Sequence, residues 1–485
     1  MIRLDEQASA RISFNHAIGS SKEVRAEAQS RGKNRAVTTA VEPVVTHEDY
    51  DRARDRARVR AARMRKGPLA KLWLLWLLIG PGILVMLGEN DGPSMLSYAA
   101  TGAKYGIGFF IPFVVLTFAM AIVVQEMTVR LGAATHRGHA ELIFERFGPF
   151  WGWFSMIDLG IGNFLTLITE FIAVRAGLGF FGVPPWAAVL VTLAILYSAL
   201  LSHRYWTWER VTLLAAAFNL VFIPVALLAH PHWGDLGRSF LTWKPLPPFN
   251  GDMVLIVLSD IGATVTPWML FFQQSATVDK GMTARDIRYG RMDTVLGAAL
   301  AAATALATIV ATAPLFGKIS AGNFEAAQFA QALQPIIGHL GAGLFALGMV
   351  EAGIVAAITI STSSAYAFGE VAGKPHSLNL PVNEGKAFYA VLGLCAAAAG
   401  TIVLIPGLPL VFVVLVVNVV AVLAMPPALV FLYLLVNDKE IMGGVRSPRW
   451  TNALALLVVL ILTAAGILYG VSIVSPHALA WLGAH

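Results

Sequence analysis

The chain has 485 residues, 57% of them hydrophobic and 13% charged, a balance that excludes a soluble globular protein because no water-facing surface is that apolar. Its formal charge of +6 requires no nucleic-acid partner, since Lys and Arg in the loops of a membrane protein set its topology. The single cysteine, Cys395, excludes a disulfide framework and a thiolate metal cluster.

Residues 1–70 are polar and lack an apolar core followed by a cleavage site, so they read as a disordered basic cytoplasmic tail rather than a signal peptide. The run from Asp51 to Arg60, continued by Arg65 and Lys66, has two readings: a solvated topogenic tail, or a basic helix lying on anionic membrane lipid. Over 71–480, apolar runs recur that are long enough to cross a hydrocarbon core of roughly 30 Å as helices. The expected class is an all-α integral membrane protein. About eleven spans are predicted, at 72–101, 107–130, 151–181, 185–202, 210–229, 252–279, 293–315, 337–371, 387–406, 409–436 and 452–474. Basic residues gather on alternate loops: Arg130, Arg137 and Arg146; Arg204 and Arg210; Lys280, Arg285, Arg288 and Arg291; Lys374 and Lys386; Lys439, Arg446 and Arg449. The other loops hold only a scatter, such as Lys104, Arg238, Lys244 and Lys318. The positive-inside rule then places the N-terminus in the cytoplasm and, with an odd number of crossings, the C-terminus outside.

The first span carries Glu89 and Asp91 beside a helix-breaking Gly92-Pro93 pair. A carboxylate at bilayer depth costs roughly 3 kcal/mol, and broken backbone there survives only beside a cavity or inside protein, so the pair marks a cation site. The sixth span carries a matching break, Gly262 to Pro267, five helices later. The two segments therefore cross in opposite directions, as in an inverted repeat over about 71–230 and 251–436 with an extra helix at 452–474. A proline alone is more often a plain kink. The second break, next to Asp91 and with Thr264 and Thr266, is what points to a site.

Asn163, Thr166 and Glu170 share one face of the third span, either as pathway lining or as interhelical hydrogen-bond glue. Glu351 in the eighth span is a further pathway candidate, with Thr359 and Thr362 on a similar face. Glu89 either attracts a dication through water or serves as a partner for Asn163 or another buried donor. Met95 and Met269, near the breaks, have two readings: packing on apolar faces, or a sulfur ligand restored by rotation of a half-helix. Glu126, Asp158 and Glu209 lie toward helix ends, where capping or pairing with loop arginines is expected. His230 and His232 in an outer loop could bind a metal weakly, but two histidines without further ligands are most often surface residues. No nucleophile is paired with a base, so an enzyme is not expected, and an acid at the first break repels the carboxylate of an organic substrate.

At the two breaks the chain resembles the NRAMP family of divalent metal transporters, over about Gly80 to Trp450. The family's first-helix motif, Asp-Pro-Gly-Asn, reads here Asp91-Gly92-Pro93-Ser94. Its sixth-helix motif, Ala-x-x-Met-Pro-His, reads Ala263-Thr264-Val265-Thr266-Pro267-Trp268. Arg130-Leu131-Gly132, Glu209, Arg291-Met292-Asp293-Thr294 and Ile441-Met442-Gly443 support the likeness. The resemblance implies a LeuT-like five-plus-five inverted repeat with helices 1 and 6 broken, alternating access, and a bacterial-type inner-membrane location. It implies as metal ligands the Asp91 carboxylate, the Ser94 hydroxyl, the Ala263 carbonyl, Thr266 and, from the tenth helix, Asn418.

Departures from the family pattern are informative. Thr266 replaces a soft sulfur ligand, leaving an oxygen-only set of the kind hard cations prefer. The resemblance is thus strongest to the NRAMP-related magnesium transporter branch, and Mg²⁺, with Mn²⁺ as a competing substrate, is the expected cargo. The family's proton relay of two sixth-helix histidines and a third-helix acidic pair reads here Trp268, Gln273, Leu167 and Glu170. Neither Trp nor Gln carries a proton near neutral pH, so uptake driven by membrane potential without proton coupling is expected. The rival expectation is a proton-coupled Mn²⁺ or Fe²⁺ symporter.

Overall fold

The computed structural model of the chain describes residues 77–200, 205–317, 326–378, 380–445 and 447–474, together with 57, 59–62 and 64. The predicted tail over 1–70 lies outside the described residues except at those few positions, and so do Arg204, Lys318 and Arg446.

Every described element is helical. The first span is two half-helices, α1 (Pro81–Glu89) and α2 (Gly92–Tyr105); α3 (Phe110–Thr135) is the second span, and a short α4 (His139–Phe147) leads to the third, α5 (Pro149–Phe180). The fourth is α6 (Pro185–Leu200). The fifth runs through α7 (Tyr205–Ala216), a 3₁₀ stretch over Ala217–Val221, and α8 (Phe222–Leu228). A loop helix, α9 (Trp233–Thr242), precedes the sixth span, which is split into α10 (Gly251–Gly262) and α11 (Pro267–Asp279). Then come α12 (Ile287–Thr312), α13 (Ala326–Ala372, kinked at Gly338), α14 (Lys386–Val403), α15 (Leu410–Asn437), the single turn α16 (Lys439–Met442) and α17 (Arg449–Val474). Nine of these segments are long and apolar enough to cross a membrane among the described residues. The other two predicted spans differ from the expectation for clear reasons. The first is interrupted at Asn90 and Asp91, and the fourth is an apolar helix of 16 residues, about 24 Å long.

Local chemistry forms the first break. Pro93 has no N–H to offer, and Asp91 turns extended so that its carboxylate oxygen accepts from the Ser94 N–H at 2.8 Å. The remaining free donor of that turn, Gly92 N–H, goes to Glu170 Oε2 of α5 at 3.0 Å. The helix end is thus satisfied entirely by two carboxylates. At the other end of the span α1 lacks a cap of its own; the Asp293 carboxylate of α12 accepts from Gly80, Gly82 and Ile83 N–H at 3.1, 2.6 and 3.2 Å. In the sixth span Thr266 is extended and Pro267 opens α11, whose first turn has no side-chain cap.

Two glycines set how closely these breaks are held. A Cβ on Gly92 would collide with the Ala173 methyl, and one on Gly262 with the Asn418 carbonyl oxygen. Backbone is the obstacle at Gly262, so the end of α10 rests directly on α15. Gly92→Ala is expected to lower the melting temperature of the purified protein through overpacking of about 1–3 kcal/mol; an unchanged melting temperature would show that α5 yields freely.

The helix ends beside α1 are held by buried charge. Lys280 Nζ lies 2.8 Å from both carboxylate oxygens of Glu209 and donates to the Ile79 carbonyl at 2.7 Å, with both charged side chains fully buried. The sequence expectation of an arginine partner is corrected for Glu209: its partner is the lysine that ends the sixth span. Glu126, by contrast, does pair with arginines, Arg130 of its own helix and Arg291 at 2.6 Å.

Candidate cation site

The two breaks face one another. Thr266 Oγ1 donates to Glu89 Oε2 at 2.7 Å, joining the last residue of α1 to the residue before α11. On the other half-helices, Tyr98 O–H donates to the Ala263 carbonyl at 3.0 Å and lies 3.1 Å from the Thr264 hydroxyl. Glu89 and Glu170 are fully buried and Asp91 is 1% exposed. Three acids in the interior of a membrane protein cannot all stay ionised without a positive partner. One oxygen of each glutamate, Glu89 Oε1 and Glu170 Oε1, has no hydrogen-bond partner. Unpaired buried acceptors beside a broken helix are what a cation would satisfy.

Several predicted residues are brought here and others are not. Asp91, Ser94, Glu89, Glu170 and Thr266 gather at the breaks. Asn418 reaches them from α15, its amide donating weakly to the Pro93 carbonyl at 3.3 Å and to Ser259 at 3.4 Å. The Ala263 carbonyl accepts from Tyr98 through one of its two lone pairs. Trp268 is buried against Phe272, and a Cβ on Gly88 would meet its ring at 3.4 Å.

Asn163 is not the partner of Glu89: its amide donates to Ser364 Oγ of α13 at 2.9 Å, the interhelical use expected of Asn in membranes. Thr166 donates back to the Gly162 carbonyl of its own helix. Gln273 lies two turns into α11 and donates to Thr294 of α12 at 2.9 Å, outside the site. Glu351 meets Asn219 rather than either break. Met95 turns away from the site, its sulfur accepting from Thr308 at 3.4 Å. The side chains joined across the breaks, Glu89, Thr266, Tyr98 and Thr264, meet through oxygen atoms.

Sequence reasoning missed Asp260. It is fully buried one turn before the sixth-span break and accepts from Ser97 at 2.8 Å and Thr101 at 2.9 Å, which fastens α10 to α2. A signal was available: an acid inside an apolar run, and two hydroxyls four residues apart on the facing half-helix. Among the described residues no three His, Cys, Asp or Glu side chains are gathered tightly enough to enclose a metal.

Two spans broken at mid-membrane, with buried oxygen groups facing across the breaks, define a membrane transporter of the LeuT-like fold and not an enzyme. A family signature described as Nramp, Natural resistance-associated macrophage protein-like, matches residues 82–472. The chain belongs to the Nramp family. It is similar to the divalent metal cation transporter MntH of Brucella suis, 26% identical over 396 residues that cover 78% of this chain and 84% of that one. Its fold is similar to that of a solved manganese transporter from Eremococcus coleocola, with a TM-score of 0.67 and 20% identity over 84% of this chain and 88% of that one. A Na⁺-coupled sialic acid symporter shares the fold more distantly, with a TM-score of 0.52 and 12% identity over 87% and 98% of the two chains.

Proposed function

We propose that this chain carries divalent metal cations across a membrane by alternating access, with Mn²⁺ as its principal cargo and Mg²⁺ as a second. The observation that carries the reading is the Glu89–Thr266 bond across the two breaks, with Asp91 and Glu170 on the same half-helix end. An arriving dication would displace the Thr266 proton from Glu89, draw in the unpaired oxygens of Glu89 and Glu170, and take Asp91 as its anchor. Ser94, Thr266, the Ala263 carbonyl and Asn418 would complete the shell with retained water. The solved Eremococcus coleocola protein of this fold is a manganese transporter, which supports manganese ahead of the magnesium-first reading of the sequence. What keeps magnesium as a second cargo is the set of groups at the breaks: carboxylate, hydroxyl and water suit Mg²⁺ and Mn²⁺ alike, and the Met95 sulfur beside the first break is held by Thr308. The basic loops support a cytoplasmic N-terminus and an outside C-terminus, and the bacterial relatives support a plasma membrane of bacterial type.

The test is influx of Mn²⁺ and Mg²⁺ into proteoliposomes holding the full chain. Saturable Mn²⁺ influx, slowed by excess Mg²⁺, is expected; no influx of either ion, and no thermal stabilisation by either, would remove the proposal. Thr266→Met would place a soft sulfur at the break. It is expected to lower Mg²⁺ influx relative to Mn²⁺ and to raise competition by Cd²⁺; an unchanged Mg²⁺/Mn²⁺ ratio would show that residue 266 does not meet the ion.

A further inference from the structure

Glu351 sits in α13 among apolar neighbours and has no use in the metal site. One carboxylate oxygen, Oε2, accepts from Asn219 Nδ2 at 3.4 Å; the other, Oε1, is sealed from solvent and has no partner. The same Asn219 amide donates to the Asn90 carbonyl at 3.1 Å, and Asn219 itself stands on the 3₁₀ stretch that interrupts the fifth span. Asn90 is the residue between Glu89 and Asp91. It is fully buried, its amide is held by the Ala301 carbonyl at 2.7 Å and by Thr304, and its Oδ1 is also unpartnered. A polar chain therefore runs from a lone acid in the eighth span to the first break.

Among the described residues, none of the ion pairs involves Glu351. On the elements packed against α13, Glu170 is engaged by Gly92 N–H, Arg175 by the Val403 carbonyl, Glu89 by Thr266, Asp91 by Ser94 N–H and Glu209 by Lys280. An unpaired carboxylate at this depth is too costly to persist and must take up a positive charge. A metal ion is a poor candidate, since it needs converging oxygens, whereas the amide hydrogens of Asn219 already point at both Oε2 and the Asn90 carbonyl. A proton on Oε1 meets no such obstacle.

Resting on the transport reading above, we propose that Glu351 is a proton-loading group of this transporter and that Asn219 and Asn90 transmit its protonation to the metal site. Loading adds one proton to the carboxylate and release returns it; no other bond changes. Carboxamides carry no proton near neutral pH, so Asn219 and Asn90 are positioning residues. Neutralising Glu351 weakens Oε2 as an acceptor, which loosens Asn219 and with it the carbonyl at the break. Linkage then requires metal occupancy to alter proton binding in return.

Mn²⁺ influx and lumenal pH are to be recorded in proteoliposomes of the full chain, with and without an outside-acid gradient and with Na⁺ or choline as the bulk cation. The unmodified protein is expected to move Mn²⁺ faster under the gradient and to acidify the lumen. Glu351→Gln is expected to keep thermal stabilisation by Mn²⁺ and basal influx while losing both proton effects, and Glu351→Asp to retain them in part. Should Glu351→Gln fail to fold, Asn219→Ala is expected to blunt the response of influx to the gradient. A full gradient response in either Glu351→Gln or Asn219→Ala overturns the proposal, as does wild-type influx that ignores the gradient or follows Na⁺ instead. Absence of Mn²⁺ influx in the unmodified chain under every condition overturns the transport reading and this proposal together.

Discussion

Asp91→Ala is expected to abolish divalent metal influx. The side chain has two roles that the substitution removes together: it caps α2 through Ser94 N–H, and it provides the carboxylate at the break. Loss of an N-cap costs only about 1 kcal/mol, which an otherwise intact protein tolerates. Loss of the anchor is larger: removing groups that merely orient a metal ligand costs 10–100-fold in affinity, so removing the ligand should exceed about 100-fold. Asp91→Asn separates the roles, since its carbonyl oxygen still caps the helix while the charge is gone. The expected pattern is a near-native melting temperature for Asp91→Asn with influx as low as in Asp91→Ala. Normal influx in Asp91→Asn would mean that the residue serves the helix and not the ion.

Lys280→Ala is expected to destabilise the protein by about 3–5 kcal/mol, the usual consequence of removing one partner of a buried ion pair. Glu209 would keep its bond from Tyr205 but remain charged in a sealed interior, and the Ile79 carbonyl would lose its donor. The double variant Lys280→Met with Glu209→Leu removes both charges and is expected to recover most of the loss in thermal denaturation. Equal damage from the single and double variants would assign the effect to packing alone. The same pair holds the chain beside Gly80, at the free end of α1, so the double variant is also expected to shift the balance between open and closed forms and to change influx even where stability is restored.

Much of this architecture was legible in the chain because a bilayer leaves few choices. Apolar length fixes a helix where no water can satisfy the backbone, and Gly92-Pro93 and Pro267 mark the places where a helix cannot continue. The acids next to those breaks were equally visible, since an ionisable group at that depth needs a reason to be there. Partnership was not legible. Whether Glu89 meets Asn163 or Thr266 depends on the rotation of α5 and α11 about their axes, which hydrophobicity on all sides of a helix does not encode. The same ambiguity hid Asp260 and the pairing of Glu209 with Lys280. It also left open what Gln273 and Thr166 meet: Gln273 donates to Thr294 of a neighbouring helix and Thr166 to a carbonyl of its own.

The sequence by itself determined that this chain crosses a membrane many times, breaks two of its helices, and places Glu89 and Asp91 at the first break and Thr266 at the second. Only the tertiary structure decided which of these groups touch: the close approach allowed by Gly92 and Gly262 sets the distances, and side-chain hydrogen bonds between helices, joining residues 78 to 325 apart, choose the partners. Contacts between residues so distant in the chain leave no local periodicity to read.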